Sequence, residues 1–270
     1  MSNVETSLEY LKVVPDTGAV LDGVSIQNLR VWFQETSILS GINAKIPKFG
    51  VTCLVGPSGA GKSTFLRTLN RINDDVPGYR YSGEIKIEGR SLSDFKDITE
   101  LRKKVGMVFQ RPCVFPRSIE KNILFGVRGN KLSVAEKSDL VEDSLRKAAL
   151  WSEVKDRLKT SALGLSLGQQ QRLCLARTLA IQPDVILLDE PTASIDPVSA
   201  HAIEEIVKEL SKHATIIMVT HNIAQAKRIG DHVMFLCAGE LVESGPVNFM
   251  FSRQSLVKTQ NYLGDEYCEC

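Results

Sequence analysis

The sequence lacks any apolar run long enough to cross a bilayer, which takes about 20 residues. Its apolar stretches, such as Val185 to Leu188, have the length of buried strands. The first ten residues, MSNVETSLEY, also lack the basic start and apolar stretch of a secretory signal. We therefore expect a chain that is made and kept in the cytosol, so that any work at a membrane requires another protein to hold it there.

Net charge is also lacking. The 270 residues include 33 basic and 32 acidic side chains, which gives a formal net charge of +1. A chain without an overall positive field has no general attraction for nucleic acid, so we expect no nucleic-acid partner. Internal repeats and low-complexity segments are absent as well, and 43% hydrophobic with 24% charged residues is typical of a globular protein.

The six cysteines do not form a recognisable metal motif. Cys268 and Cys270 make a C-x-C pair in the last residues, but no further ligands at suitable spacing accompany them. The other four lie in apolar contexts and are expected to be small core residues: Cys53, Cys113, Cys174 and Cys237.

Strands and helices alternate along most of the chain, which predicts an α/β fold with a parallel sheet covered by helices. The predicted strands are Val24 to Phe33, Val51 to Val55, Gly83 to Glu88, Val105 to Phe109, Val185 to Leu188, Thr215 to Val219, Val233 to Cys237 and Glu240 to Glu243. Gly83 to Glu88 alternates apolar and charged residues, so we expect it to be antiparallel and half-buried. Helical spacing covers Ser63 to Ile72, Leu132 to Leu158, Pro197 to Leu210 and Asn222 to Arg228.

A glycine-rich loop follows the apolar strand Val51 to Val55. Its sequence GPSGAGKST has the spacing G-x-x-x-x-G-K-S, and it comprises Gly56, Pro57, Ser58, Gly59, Ala60, Gly61, Lys62, Ser63 and Thr64. Glycines let successive N–H groups point at one anion, and the helix that follows adds its positive N-terminal end. Lys62 would bind the β- and γ-phosphates of ATP, and the Ser63 hydroxyl would be a Mg²⁺ ligand.

An acidic pair completes this pattern. Asp189 and Glu190 follow four apolar residues, at the strand end where open α/β sheets bind ligands. Asp189 would hold Mg²⁺ through its water shell, and Glu190 would act as the general base on the attacking water. The sequence thus predicts a P-loop protein that binds and hydrolyses ATP.

The run LSLGQQQ, which begins at Leu165, resembles the LSGGQ signature of ATP-binding-cassette (ABC) ATPases. Further matches appear in the order of that family. Gln110 follows a predicted strand, Ser194 to Pro197 (SIDP) resembles the D-loop, and His221 follows another strand. Phe33, or its neighbour Trp32, matches the aromatic residue that stacks on adenine.

The resemblance implies an ABC ATPase domain over residues 23–265, between an N-terminal extension (1–22) and a short tail (266–270). It implies a mixed sheet core, an antiparallel β subdomain and a helical subdomain inserted at about 112–178. Two copies would stack head to tail, and Ser166, Gly168 and Gln169 of one would contact the γ-phosphate held by the other. Gln110 would coordinate Mg²⁺ or its water, and His221 would grip the γ-phosphate and orient Glu190.

Two positions depart from the family pattern. Leu167 replaces a glycine of LSGGQ, and leucine does not adopt a positive φ cheaply. We expect Leu167 to keep a helical backbone and point away; the alternative is a weakened contact with the partner's phosphate. Gln34 occupies a position where many relatives have glycine.

Several stretches resemble the ATP-binding subunits of bacterial phosphate importers, among them VPGYRYSGEI from Val76 and VGMVFQRPCVFPRSIEKNILFGVR from Val105. This resemblance implies a peripheral subunit on the cytoplasmic face of the inner membrane. Its partners would be two integral membrane permeases, docked near Pro112, Phe115 and Pro116, and indirectly an extracytoplasmic phosphate-binding protein. The alternatives are an importer of molybdate, tungstate or polar amino acids, a soluble ABC ATPase without a transport role, and a regulatory module without turnover.

Overall fold

A six-stranded sheet forms the centre of the computed structural model, which describes residues 22–127 and 132–264. Its strand order is β10-β9-β3-β8-β7-β6, and every neighbouring pair is parallel except β9 with β10. The strands are β3 (Val51–Val55), β6 (Val105–Val108), β7 (Val185–Asp189), β8 (Thr215–Val219), β9 (His232–Cys237) and β10 (Glu240–Pro246). The carboxyl ends of β3, β7 and β8 therefore meet at one edge, which is where the predicted site residues follow.

A second, antiparallel sheet has the order β2-β1-β4-β5. It consists of β1 (Asp22–Phe33), β2 (Thr36–Pro47), β4 (Tyr79–Ile87) and β5 (Arg90–Ser91). The antiparallel strand expected over Gly83 to Glu88 is confirmed as part of β4, whereas β2 was not predicted. A register shift opposite Gly41, whose φ is 78°, interrupts the two-residue period of buried positions in β2 and hides the strand pattern.

The helices complete the predicted α/β architecture. They are α1 (Lys62–Leu69), α2 (Ile98–Lys104), α3 (Ile119–Ile123), α4 (Val134–Lys147), α5 (Trp151–Val154), α6 (Leu167–Leu179), α7 (Pro197–Leu210), α8 (Ile223–Ile229), α9 (Val247–Met250) and α10 (Val257–Leu263). One face of the six-stranded sheet packs with α1 against the antiparallel sheet, and the opposite face packs against α6, α7 and α8. Leu54 belongs to the first core and its neighbours Cys53 and Val55 to the second, because successive side chains of a strand point to opposite faces.

The helices between β6 and β7 have a core of their own. Ile119 and Ile123 of α3, Leu145 of α4, and Leu173 and Ala176 of α6 are buried together there. Because α6 also packs on the sheet through Cys174 and Leu175, it joins this helical segment to the rest of the chain.

Two predictions need correction, and two helices were missed. Helix α1 ends at Leu69 rather than Ile72, because Arg71 adopts a left-handed φ of 58° that stops the helix. Cys113 is exposed and not a core residue, since it lies in the irregular segment after β6; Cys53 and Cys174 are buried as expected. The C-terminal helices α9 and α10 were not predicted, and Cys268, Cys270 and nearly all of the N-terminal extension lie outside the described residues.

Candidate active site

The glycine-rich loop links β3 to α1 as the sequence predicts. All five residues of β3 are buried, and Gly61 is the residue before α1 begins at Lys62. Gly56, Gly59 and Gly61 have φ values of 150°, 81° and 97°, in the region that favours glycine. A side chain at Gly56 would overlap the Leu236 carbonyl of the adjacent strand β9. The loop therefore curls tightly, with Ser58 and Gly59 exposed at its tip.

Lys62 lies folded over this loop. Its Nζ donates to the carbonyl oxygens of Gly56 at 2.7 Å and Pro57 at 2.8 Å. Burial lowers the pKa of the Lys62 ammonium, and the carboxylates of Glu190 and Asp189 oppose that shift. The ammonium is thus held at the loop by partners that an anionic ligand can replace.

Asp189 is the last residue of β7 and is only 1% exposed. Its Oδ1 accepts a hydrogen bond from Ser63 Oγ at 2.8 Å, and its Oδ2 accepts one from Arg67 at 3.1 Å. The structure thereby brings together Ser63 and Asp189, two of the three predicted metal ligands. Arg67 was not predicted to lie here, although its position four residues after Ser63 on α1 places both on one helix face.

Glu190 forms a second cluster with Gln110 and His221. Gln110 Nε2 donates to Glu190 Oε2 at 3.2 Å, and His221 Nδ1 lies 3.1 Å from the same oxygen. Glu190 has a left-handed φ of 46°, and its N–H donates to the Val219 carbonyl at 3.1 Å. This strained backbone turns the carboxylate toward His221, which was expected to orient it, and toward Gln110, which was expected at the metal instead. The third predicted metal ligand, Gln110, contacts Glu190 rather than Asp189.

Helix α6 begins in the signature run. Ser166 is its N-cap and forms a capping box with Gln169: Ser166 Oγ accepts from the Gln169 N–H at 3.3 Å, and Gln169 Oε1 accepts from the Ser166 N–H at 3.0 Å. Leu167 is the first helical residue, keeps a helical backbone and is 45% exposed. The expectation that Leu167 does not need a glycine-like conformation is confirmed.

The signature run stands apart from the glycine-rich loop within one chain. In the part of the chain that the structure describes, no hydrogen bond joins Ser166, Gly168 or Gln169 to Gly56–Thr64. Gly168 instead packs on Ser199 near the start of α7, where an added side chain would overlap the Ser199 hydroxyl. Asp196 of the predicted D-loop is the N-cap of α7, where it accepts from the N–H groups of Val198 and Ser199 at 3.1 and 2.9 Å.

Phe33 rather than Trp32 lies on the α1 side of the antiparallel sheet. Phe33 pairs with Tyr79 across β1 and β4, with ring centroids 5.5 Å apart, and the Tyr79 hydroxyl donates to Thr68 of α1 at 3.0 Å. Trp32 pairs with Arg80 on the opposite face, and the Arg80 guanidinium stacks 4.6 Å from its ring. Of the two candidates for stacking on adenine, the geometry favours Phe33.

A glycine-rich strand–loop–helix unit with an acidic residue pair after another parallel strand of the same sheet defines a P-loop nucleotide-binding protein. Comparison with known proteins narrows this class. The family model described as "ABC transporter" matches residues 39–193. The "Phosphate import ATP-binding protein PstB" of Colwellia psychrerythraea is 45% identical over 269 residues, which cover 98% of this chain and 94% of that protein.

Solved structures agree with this match. The cbiO1 protein of Clostridium perfringens, part of the ABC transporter complex cbiONQ, has a TM-score of 0.75 and 29% identity, covering 89% of this chain and 94% of that one. A bacterial Atm1-family ABC exporter with ATP bound has a TM-score of 0.76 and 28% identity; the match covers 92% of this chain and 42% of the exporter chain. The ATP-binding cassette MJ0796, a dimer bound to ADP and Pi, has a TM-score of 0.70 and 29% identity, covering 83% of this chain and 98% of that chain. The chain belongs to the ABC transporter family, and its fold is that of the family's ATP-binding subunits.

Proposed function

We propose that this chain is the ATP-hydrolysing subunit of an ABC importer that takes up inorganic phosphate. The assignment of phosphate as the solute rests on the 45% identity, along 98% of the chain, to a phosphate import ATP-binding protein. We expect no residue of this chain to bind the transported solute, because that molecule passes through other subunits. The alternative solutes, molybdate, tungstate and polar amino acids, are therefore left to experiment.

ATP would bind along the glycine-rich loop. The N–H groups of Gly56–Thr64 and the Lys62 ammonium would hold the phosphates, and Phe33 would stack on the adenine. Ser63 and Asp189 would hold Mg²⁺. Their hydroxyl and carboxylate oxygens are hard donors that already lie together at 2.8 Å, and Mg²⁺ takes one or two such protein ligands beside phosphates and waters. When bound, the ion neutralises charge on the β- and γ-phosphates.

Glu190 would act as the general base. Its Oε2 is held by Gln110 at 3.2 Å and by His221 at 3.1 Å, so that the carboxylate is fixed before a water reaches it. His221 must carry a proton on Nδ1 to donate to this carboxylate, and a second proton on Nε2 if it is also to donate to an oxygen of the γ-phosphate. Gln110, which follows β6, would coordinate Mg²⁺ or its bound water beside the γ-phosphate.

A second copy of the chain would complete each site. Ser166, Gly168 and Gln169 begin α6, whose N-terminal N–H groups suit an anion. Because these residues make no hydrogen bond to the Gly56–Thr64 loop among the described residues, we assign them to the nucleotide bound by the partner copy. The dimeric relative MJ0796 bound to ADP and Pi supports this arrangement.

Partner permeases would hold the subunit at the cytoplasmic face of the inner membrane. None of the described helices is both long and apolar enough to span a bilayer. The segment after β6 offers a docking surface: the Phe115 ring lies 4.3 Å from that of Phe125, which is 39% exposed, and the Arg177 guanidinium is 4.5 Å from the Phe115 ring. An extracytoplasmic binding protein would deliver phosphate to the permeases.

Uptake of labelled phosphate in a strain without this protein tests the proposal. We expect uptake to be lost, restored by the wild-type chain and not restored by Lys62→Ala, which removes the loop cation. Lys137→Ala, an exposed change on α4, should restore it and controls for expression. Unchanged phosphate uptake in the deletion strain would refute phosphate as the solute, and lost molybdate uptake would then identify an alternative.

A further inference from the structure

Gln225 is a buried polar residue that none of the motifs above includes. It lies in the first turns of α8 and is 2% exposed. Its Oε1 accepts a hydrogen bond from Thr220 Oγ1 at 2.7 Å. Its Nε2 donates to Thr192 Oγ1 at 3.0 Å and to Glu204 Oε1 at 2.9 Å. Three hydrogen bonds thus hold one amide in a fixed orientation.

The two threonines are close neighbours of the catalytic groups. Thr220 precedes His221, and its Oγ1 also accepts from the N–H of Asn222 at 3.0 Å. Thr192 is two residues after Glu190, in the loop that follows β7. Through Gln225, the loop that carries His221 is therefore tied to the loop that carries Glu190.

Glu204 on α7 fixes which way the Gln225 amide points. Its carboxylate is 5% exposed, and Arg228 donates to both of its oxygens, at 2.8 and 2.6 Å. An ionised carboxylate can only accept, so the NH₂ group of Gln225 must face it and the amide oxygen must face Thr220. This anchoring makes the amide a defined link rather than a freely flipping one.

Packing around these two loops is incomplete on one side. A solvent-open cleft of about 380 Å³ adjoins them and helices α7 and α8, and Thr192, Glu204, Asn222, Gln225 and Arg228 are among the residues that line it. Where such space adjoins a loop, few van der Waals contacts resist its movement, and hydrogen bonds set its position.

From this geometry we infer that Gln225 is a positioning residue for ATP hydrolysis. It keeps the loop that carries His221 and the loop that carries Glu190 in a fixed position relative to each other. The inference rests on the proposed catalytic roles of Glu190 and His221. Gln225 itself touches neither residue in any bond described above, and it acts through Thr220 and Thr192. Its loss should therefore slow the chemical step and leave ATP binding intact, because neither Lys62 nor Phe33 depends on it.

The first test replaces Gln225 by methionine, which has a similar shape and cannot form the three hydrogen bonds. We expect kcat for ATP to fall 10- to 100-fold, as a small misplacement of catalytic groups does, with an unchanged Kd for ATP. Gln260→Met is the matched control, since Gln260 on α10 donates its amide to the carbonyls of Arg253 and Ser255 and contacts no catalytic loop. Its kcat should stay within about twofold of wild type.

Substitutions that change the charge at Gln225 and Glu204 distinguish a positioning role from a general loss of folding. In Gln225→Glu, two carboxylates face each other, and kcat should fall at least as far as in Gln225→Met. Adding Glu204→Gln puts a donor opposite the new carboxylate but removes one of the two acceptors that Arg228 uses, so kcat should recover in part. Thr192→Val keeps the side-chain shape and removes one of the three hydrogen bonds, so it should also lower kcat. This variant tests the inference if Gln225→Met does not fold.

Amide hydrogen exchange tests the link without turnover. In Gln225→Met, exchange should quicken at residues 190–193 and 219–223 and stay unchanged at 56–64. A folded Gln225→Met with wild-type kcat and wild-type exchange in both loops would overturn the inference. A wild-type dimer that binds ATP without hydrolysing it would instead defeat the proposed function, and the exchange pattern would still show whether Gln225 joins the two loops.

Discussion

Two residues near the site hold left-handed backbone angles without being glycine: Gln34 with φ 53° and Glu190 with φ 46°. Such an angle costs an ordinary residue roughly 1–2 kcal/mol. At Glu190 the cost accompanies a carboxylate aimed at Gln110 and His221. At Gln34 the backbone N–H donates to the Gly78 carbonyl at 2.8 Å, and no described hydrogen bond involves its side chain. The angle at Gln34 instead shapes the two-residue turn that joins β1 to β2, where Phe33 pairs with Thr36.

Gln34→Gly should stabilise the chain. Glycine removes the left-handed strain, while its greater freedom in the unfolded chain offsets part of the gain, so we expect about 0.5–1 kcal/mol more stability in urea unfolding. Gln27→Gly is the matched control: Gln27 lies exposed within β1, where glycine should cost about 0.5–1 kcal/mol. Equal effects of the two changes would contradict the account.

At the scale of elements, the packing of α6 against α7 fixes the position of the signature residues Ser166–Gln169. Gly168 lies against Ser199, and Ser166 and Asp196 cap the two helices nearby. The family resemblance explains Gly168 by contact with a phosphate. The structure adds a packing reason, because only a residue without a side chain lets the two helix starts approach this closely.

Gly168→Ala should therefore destabilise the chain despite the better helix propensity of alanine. The added methyl group overlaps Ser199, and after the propensity gain we expect a net loss of about 1–2 kcal/mol in urea unfolding. Gly164→Ala is the control, since nothing lies within 4 Å of a side chain placed there. Ser199→Gly should restore most of the loss in Gly168→Ala; no restoration would show that the overlap is not the cause.

The sequence predicted elements whose pattern is local and missed those set by distant contacts. Buried strands such as β3 and β8 are continuous apolar runs, and the glycine-rich loop follows from its spacing. The strand β2 was not predicted because a bulge interrupts its two-residue alternation of buried and exposed positions. Gln225 escaped because its partners Thr192 and Glu204 are 33 and 21 residues away, and only the fold brings them together. Cys113 was wrongly placed in the core because its apolar neighbours also suit an exposed loop.

At the scale of the whole molecule, one partly buried histidine makes stability depend on pH. Burial lowers the pKa of His232, at the start of β9, from 6.5 to about 4. Its Nδ1 has no hydrogen-bond partner within residues 22–127 and 132–264. Between pH 6.5 and 4 the unfolded chain binds a proton that the folded chain does not. Stability is therefore lost as the pH falls through that window.

His232→Gln should remove this contribution. Between pH 7.5 and pH 5 we expect the wild-type chain to lose about 2 kcal/mol more than the variant in urea unfolding. His213→Gln provides the comparison, because His213 is exposed and the folded chain keeps it in water. Parallel pH profiles for wild type and His232→Gln would show that this histidine does not carry the effect.

In the proposed function, the chain holds two halves of an ATP site, the loop Gly56–Thr64 with Asp189 and Glu190, and the α6 start at Ser166–Gln169. The most direct test of the account is the ATPase rate of Glu190→Gln. We predict a fall of at least about 100-fold from removal of the general base, with ATP binding retained and a dimer trapped by bound ATP. Glu205→Gln, an exposed change on α7, should keep the wild-type rate. Wild-type turnover by Glu190→Gln would contradict the central claim.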